Sequence, residues 1–253
     1  SVLGAVQAAE KTENGYSLQF EKGTAPAQIS LNKEGKIIGL WFGNYSLSED
    51  NLDTVLAELK ELQGELSVLV VKNNQEKVLA YNEQKPMAVG STFKLHVLKK
   101  LYDEIEESDK SWSDVVELEA ASKSMPTGIL QDWPKGTPLT LRTLSNLMIS
   151  QSDNTATDHL IDYLDRKKLE AGLQEINIPF LKTREFFILK FSDDAQSREK
   201  YLASNLEEKR EFLAELSSQE LKNISVGNEP ILIDRLEWYF STEELAELIY
   251  QLR

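Results

Sequence analysis

The sequence predicts an α/β (α+β) fold in which a short β-rich segment precedes a larger, helix-rich domain. Residues 1–43 hold short apolar runs separated by turn residues, and Glu34-Gly35 is a hairpin signal. After Ser91, apolar residues recur at the spacing of helices. We therefore expect a β-rich segment at 1–46, which could be part of a separate domain, and the main domain at 47–253.

Individual elements follow from local patterns. Helices are expected where a capping residue precedes a periodic apolar run, and strands where apolar runs lie between turn residues. The expected strands are Tyr16–Phe20, Ala27–Asn32, Lys36–Phe42, Leu66–Lys72 and Lys77–Tyr81. The expected helical runs are Ser48–Leu62, capped by Ser48, and Ser91–Glu106, Leu139–Ile149, Ala156–Leu164 and Thr242–Leu252.

Composition argues against several classes of protein. The 253 residues are 41% apolar, enough for one large domain or two modest ones. No apolar run approaches the roughly 18 uncharged residues of a membrane-spanning helix. The net charge of -14 argues against nucleic-acid binding, because acidic residues interrupt every basic run. No signal-peptide pattern begins the sequence, but a removed leader would leave export open.

Cysteine and histidine are too sparse for several kinds of site. The absence of cysteine excludes disulfides and thiol catalysis. The two histidines, His96 and His159, lie far apart, so we expect neither a histidine-rich metal site nor a Ser-His-Asp triad. We expect no metal and no cofactor, and we interpret both histidines as structural or surface residues.

The most informative pattern is a serine followed three residues later by a lysine, Ser91 and Lys94. The same spacing occurs at Ser30–Lys33 and Ser197–Lys200, so context has to distinguish the three. Ser91 follows an irregular segment that ends in glycine, and it opens a helical run on whose apolar face Lys94 falls. The competing interpretation is a helix cap at Ser91 and a lysine side chain that reaches past the core to water.

A lysine buried one turn from a serine can activate that serine. A serine hydroxyl becomes a good nucleophile when a neighbouring base removes its proton. Lysine is such a base only when neutral, and lowering its pKa from ~10.4 to ~7 requires about 4 to 5 kcal/mol from burial and nearby charge. The apolar helix face is where Lys94 would be buried, so the pattern indicates nucleophilic catalysis at Ser91.

The second pattern is Ser152-Asp153-Asn154, which lies between two periodic apolar runs. Taken alone it is a break between helices built from capping residues. Taken with Ser91 and Lys94, it has the order and approximate spacing of the paired motifs of class A β-lactamases and penicillin-binding proteins. The stretches 123–132, 136–141 and 147–157 also resemble the class A segment that leads into this loop, and the likeness covers about 66–164.

This resemblance implies a β-lactamase-like serine hydrolase with a helix-rich domain and a helix-covered antiparallel sheet. It implies that Ser91 is acylated by an amide, lactam or ester substrate, and that Lys94 is the general base or proton shuttle. Ser152 would relay a proton to the leaving nitrogen, and Asn154 would hold Lys94 and the substrate amide. Asp153 would fix the loop through backbone hydrogen bonds, and the Ser91 N–H would supply half of an oxyanion hole.

Two departures from the family pattern shape the expectation. Family members carry Lys-Thr-Gly or a close variant on a strand near the carboxyl end, and no such triplet follows Asn154 here. We therefore expect the main domain to lack the C-terminal strands of the family. Truncation, strands supplied by another polypeptide or segment, and a degenerate relative with weak hydrolysis are the alternatives.

The second departure concerns hydrolysis of the acyl-enzyme. The family glutamate that activates water lies in a Glu-x-x-Leu-Asn motif, and Glu185 is near its place without the Leu-Asn ending. We take Glu185 as the candidate, and a surface glutamate is the competing interpretation. Without such a base, the acyl-enzyme should persist or turn over slowly.

Other functions remain open at this stage. A non-catalytic binding or scaffold protein with the same fold is the main alternative, and a D,D-peptidase or esterase is another enzyme of this type. Lys94 separates enzyme from scaffold, because in an enzyme its amine should reach the serine hydroxyls. The β-rich segment resembles the tail of a steroid-isomerase-like domain that some relatives carry. The resemblance also favours export, and the oligomeric state is open.

Overall fold

A computed structural model describes residues 2–49, 51–73, 76–216, 227 and 230–253. The chain divides into two compact units, Ser1–Leu66 and Ser67–Arg253. The first unit therefore includes the first helix as well as the β-rich segment.

The first unit is an antiparallel sheet followed by one helix. Its strands are β1 (Val6–Thr12), β2 (Gly15–Phe20), β3 (Gly23–Leu31), β4 (Ile37–Phe42) and β5 (Ser46–Leu47). They pair in the order β1-β2-β3-β4, with β5 on β3. The helix is α1 (Leu52–Lys60).

Two predictions in this unit need correction. Three of its strands were expected, but β1 was missed because its small and charged residues hide the alternation. The cap of α1 is Asn51 rather than Ser48, since the Asn51 side chain accepts hydrogen bonds from the backbone N–H groups of Asp53 and Thr54.

The second unit combines helices with short antiparallel strand pairs. The strands are β6 (Val68–Lys72), β7 (Glu76–Tyr81), β8 (Met87–Ala88), β9 (Val115–Glu117), β10 (Pro138–Thr140) and β11 (Tyr239–Phe240). The pairs are β6 with β7, β8 with β11, and β9 with β10. The helices are α2 (Lys94–Glu107), α3 (Leu141–Ser150), α4 (Asn154–Leu164), α5 (Arg166–Glu170), α6 (Thr183–Phe191), α7 (Ala195–Ala203), α8 (Leu206–Leu216) and α9 (Thr242–Gln251).

These elements confirm the predicted mixture of helices and antiparallel strands. The α9 helix covers β6, and the hydroxyls of Ser67 and Thr242 lie 2.9 Å apart at this contact. Within the part of the chain that the structure describes, no helix is both long and apolar enough to cross a lipid bilayer.

The α4 helix is the centre of the second unit. It packs against α2, α3, α5 and α6, and its residues from Asn154 to Ile161 are all buried. Several of these are polar, so they must find hydrogen-bond partners inside the protein. His159 is one of them, because its Nε2 accepts from the Glu119 N–H at 2.8 Å and its Nδ1 lies 2.7 Å from the Thr155 carbonyl oxygen.

The approach to α2 is fixed by aromatic packing. Residues Gly90–Phe93 form a 3₁₀ turn directly before the helix, with Gly90 at a φ of 49°. The Phe93 ring stacks on Trp238 at 3.9 Å between centroids and is buried. Ser91 thus stands exposed at the start of a rigid element, while Lys94 begins the α-helix and is buried.

Candidate active site

Lys94 is the most constrained residue of the site. Its side chain is 2% exposed. The Nζ atom donates to the carbonyl oxygen of Ser152 at 2.7 Å, to Ser152 Oγ at 2.9 Å and to Asn154 Oδ1 at 2.7 Å. The amine is therefore turned into the protein and toward the Ser152 hydroxyl.

Ser152 connects Lys94 to Ser91. Ser152 Oγ lies 3.0 Å from Ser91 Oγ and 2.9 Å from Lys94 Nζ. Two hydroxyls and one amine thus form a continuous hydrogen-bonded path. Ser91 is exposed at the open end of this path, and Lys94 is buried at the other.

The partners of Lys94 decide what happens when the amine loses its proton. An ammonium has three N–H donors, which matches the three acceptors observed. Two of these acceptors are carbonyl oxygens, which cannot donate. In a neutral amine the lone pair must therefore face Ser152 Oγ, which can donate its proton to nitrogen and accept one from Ser91.

Burial makes the neutral amine accessible near neutral pH. Loss of hydration lowers the pKa of Lys94 to about 8, while the negative charges of Asp158 and Asp153 oppose this change. A larger fraction of this amine is therefore unprotonated near neutral pH than of a lysine in water.

The Ser152–Asn154 loop is held by hydrogen bonds to an earlier segment of the chain, Met125–Thr127. The Thr127 hydroxyl donates to the Ser152 carbonyl oxygen at 2.6 Å, and the Thr127 carbonyl oxygen accepts from the Asn154 N–H at 3.1 Å. Asn154 Nδ2 donates to the Met125 carbonyl oxygen at 2.6 Å. Ser152 itself has a φ of 51°, a strained conformation for a residue other than glycine. These contacts hold it there.

Asp153 fixes the same loop, as the sequence predicted. Its carboxylate accepts from the N–H groups of Ile129 at 2.7 Å and Leu130 at 3.0 Å, and it caps α4 by accepting from Ala156 at 2.8 Å. Gly128 makes this approach possible, because a Cβ added there would lie 2.2 Å from the Asp153 side chain. The glycine also has a φ of 109°.

Glu185 lies apart from these contacts. It is 1% exposed, so the interpretation as a surface glutamate is wrong. Its carboxylate pairs with Arg166 and accepts from the Lys182 N–H at 2.9 Å. Burial raises its pKa, and the charge of Arg166 opposes this. Four of the five predicted site residues are brought together, and Glu185 instead caps the start of α6.

Sequence reasoning missed two residues beside the site, Asp158 and Thr183. Asp158 lies one turn after Asn154 on α4 and accepts from the Thr183 hydroxyl at 2.8 Å. Thr183 Oγ1 is also 3.2 Å from the carbonyl oxygen of Asn154. An acidic residue on the buried face of a helix, four positions after Asn154, was the available signal.

A model of the protein family described as "Beta-lactamase enzyme family" matches residues 48–223. A curated protein named "Beta-lactamase" from Bacteroides uniformis is 30% identical over 134 residues, which cover 51% of this chain. The matched region spans 41% of that relative.

Solved structures with similar folds include two β-lactamases. One, from Sphaerobacter thermophilus, is 22% identical with a TM-score of 0.47, and the match covers 77% of this chain and 59% of the other. The second, from Francisella tularensis, is 18% identical with a TM-score of 0.41, covering 60% and 69% of the two chains.

Proposed function

Because this chain belongs to the beta-lactamase enzyme family, we propose that it is a serine hydrolase that forms an acyl-enzyme on Ser91. The substrate is an amide, lactam or ester. The observation that carries this proposal is the hydrogen-bonded path from buried Lys94 through Ser152 to exposed Ser91. A scaffold protein has no need of a lysine amine held at such cost beside two hydroxyls.

The acylation step can be followed proton by proton. Ser91 Oγ attacks the substrate carbonyl carbon as its proton passes to Ser152 Oγ, and the Ser152 proton passes to neutral Lys94 Nζ. The reverse transfer then protonates the leaving nitrogen or oxygen as its bond to the carbonyl carbon breaks. The Ser91 N–H, at the start of a helical turn, would stabilise the negative oxygen of the tetrahedral intermediate.

Hydrolysis of the acyl-enzyme is expected to be slower than its formation. A water molecule at the ester carbon needs a base. Three buried carboxylates near α4 are committed elsewhere: Asp153 and Asp158 accept backbone N–H groups, and Glu185 pairs with Arg166. We therefore propose that the covalent adduct accumulates.

The test is intact-protein mass spectrometry after exposure to a fluorescent penicillin and, in a separate sample, a fluorophosphonate. We expect a mass increase of one penicillin, or of one fluorophosphonate less HF, located on Ser91 by peptide mapping. The Ser91→Ala variant should give none. Ser197→Ala is the matched control, because Ser197 also precedes a lysine by three positions but has its backbone N–H bound to Asp194 at a helix start.

Two outcomes would argue against the proposal. Absence of any adduct with both reagents would favour a scaffold that kept the fold without the chemistry. An adduct that persists in Ser91→Ala would place the nucleophile elsewhere. Labelling by the fluorophosphonate alone would retain the acylation of Ser91 and shift the substrate class from lactams to esters.

A further inference from the structure

Asp158 is a fully buried carboxylate to which the proposed chemistry assigns no role. Its exposure is 0%. It accepts from the Thr183 N–H at 2.7 Å, the Thr183 hydroxyl at 2.8 Å and the Arg184 N–H at 2.9 Å. All three donors belong to the first residues of α6, so Asp158 ties the start of that helix to α4.

The Thr183 hydroxyl extends this connection to the Lys94 site. Thr183 Oγ1 lies within hydrogen-bond distance of Asp158 Oδ1, of the Asn154 carbonyl oxygen and of Ser124 Oγ, at 2.8, 3.2 and 2.7 Å. Asn154 in turn accepts from Lys94 through its side chain. Asp158 is therefore linked to the amine by three successive contacts, through Thr183 and Asn154, and all of these residues are buried.

Three basic residues interact electrostatically with Asp158. Lys94 faces it from α2, and Lys182 and Arg184 face it from the start of α6. Of the negative charges that favour the protonated form of Lys94, Asp158 has the largest effect and Asp153 the next. Loss of hydration raises the pKa of Asp158 to about 7, despite its three donors.

We propose that Asp158 is a positioning residue for Lys94. Asp158 anchors the start of α6 on α4, and its buried negative charge keeps the Lys94 amine protonated in the free enzyme. This inference rests on the proposed acylation of Ser91. It predicts that Asp158 sets the pH at which acylation begins, in addition to holding the site together.

The test is the pH dependence of Ser91 acylation in Asp158→Asn. Without the negative charge, Lys94 should lose its proton more easily, so the rising limb of the profile should move to lower pH by roughly half a unit or more. The maximum rate should fall as well, because an asparagine accepts fewer of the three hydrogen bonds. A purely structural role would lower the rate and leave the limb in place.

Two variants separate charge from structure. Thr183→Val removes the hydroxyl and keeps the carboxylate, so we expect a lower rate with an unmoved limb. Asp162→Asn removes a carboxylate one turn further along α4, where it faces Lys182 and Ser122, and it should move the limb little. If the rising limb shifts equally in Thr183→Val and Asp158→Asn, the Asp158 charge does not set its position and the inference is wrong.

A measurement on the unmodified protein makes the test independent of folding and of activity. The side-chain ¹³Cε signal of Lys94, assigned with Lys94→Met, should titrate in two steps, a smaller one as Asp158 ionises and a larger one as the amine does. A single step would refute the inference even if Ser91 is acylated. Two steps without any acylation would support the electrostatic interaction between Asp158 and Lys94 and contradict the proposed function.

Discussion

Two segments, one leading into α4 and one packed against it, use their polar groups in different ways. The loop Ser152–Asn154 directs a hydroxyl and an amide oxygen toward Lys94, and it holds Ser152 in a strained backbone conformation to do so. The start of α6 directs Glu185 toward Arg166 and its own backbone. The first segment therefore places polar groups on the Lys94 amine, and the second holds the start of α6. We therefore expect variants in the two to affect different steps.

The largest effect is expected from removing the base. Lys94→Met should slow acylation of Ser91 by roughly 10³-fold, because the apolar side chain fills a similar space and accepts no proton. The rate of adduct formation, followed by mass spectrometry, measures this. Lys99→Met on the same helix removes a lysine paired with Asp103 and serves as the control. A rate within tenfold of the unmodified protein would contradict the assignment of Lys94.

Ser152 tests whether the path runs through its hydroxyl. Ser152→Ala should slow acylation by about 10²-fold. Ser152→Gly should be as slow, yet more stable than the alanine variant by about 1 kcal/mol, because glycine adopts a positive φ without strain. Denaturant unfolding and adduct formation together separate the two effects. A fast Ser152→Gly variant would mean that the hydroxyl is dispensable.

Gly128 tests how firmly the loop is fixed. Gly128→Ala should lower the free energy of unfolding by about 3 kcal/mol, since the new Cβ would meet Asp153 and also force an unfavourable φ. Gly136→Ala is the matched control, because Gly136 has a φ of 81° and nothing within 4 Å of a new Cβ. If both variants lose the same free energy of unfolding in urea, the contact between the new Cβ and Asp153 has no effect on stability.

Glu185 tests the other segment. Glu185→Gln should lower the free energy of unfolding by about 2 kcal/mol, because half-buried Arg166 loses its charged partner. The rate at which the Ser91 adduct decays should change less than about threefold, since decay is expected to depend on other groups. Time-resolved mass spectrometry after removal of excess reagent measures the decay. A strong decrease would restore Glu185 as the base for water.

The smallest effect is the pH response of Lys94. Acylation should rise about tenfold per pH unit below the Lys94 pKa of about 8 and level off above it, because the neutral amine is the base. Stability should also rise above that pH. The pKa of Lys94 is lower in the folded protein than in the unfolded chain. Between these two pKa values the unfolded chain binds more protons, so raising the pH stabilises the folded protein, in which no charge is then buried at Lys94. Lys94→Met should lose both responses.

The cluster of Ser91, Lys94, Ser152 and Asn154 was easier to predict from sequence than the contacts at the start of α6. Ser91 and Lys94 share one helical turn, and Ser152 and Asn154 lie at the start of another helix, so local spacing brings each pair close. The family and the mixed fold were also predicted from local patterns, and the family match and the observed elements confirm them. The pattern could not show that Ser91 and Lys94 contact Ser152 and Asn154, because that depends on how α2 packs against α4.

The parts that sequence missed depend on distant partners. Glu185 looked like a surface residue because Arg166, which makes its burial possible, lies outside any local window. The strand pair β8 and β11 has two residues on each side and joins distant parts of the chain, so no alternation could reveal it. Asp158 needed α6 to supply its donors, and those three hydrogen bonds appear only after the chain has folded.

The enclosure of the Lys94 amine has a practical consequence for chemical labelling. In open solution, a lysine with a lowered pKa is the first to react with succinimidyl esters or isothiocyanates, because more of it is unprotonated. Here the reagent would have to enter a space closed by three hydrogen bonds. Dyes should therefore couple to outward-facing lysines such as Lys135 first, which permits fluorescent tagging with Lys94 left unmodified.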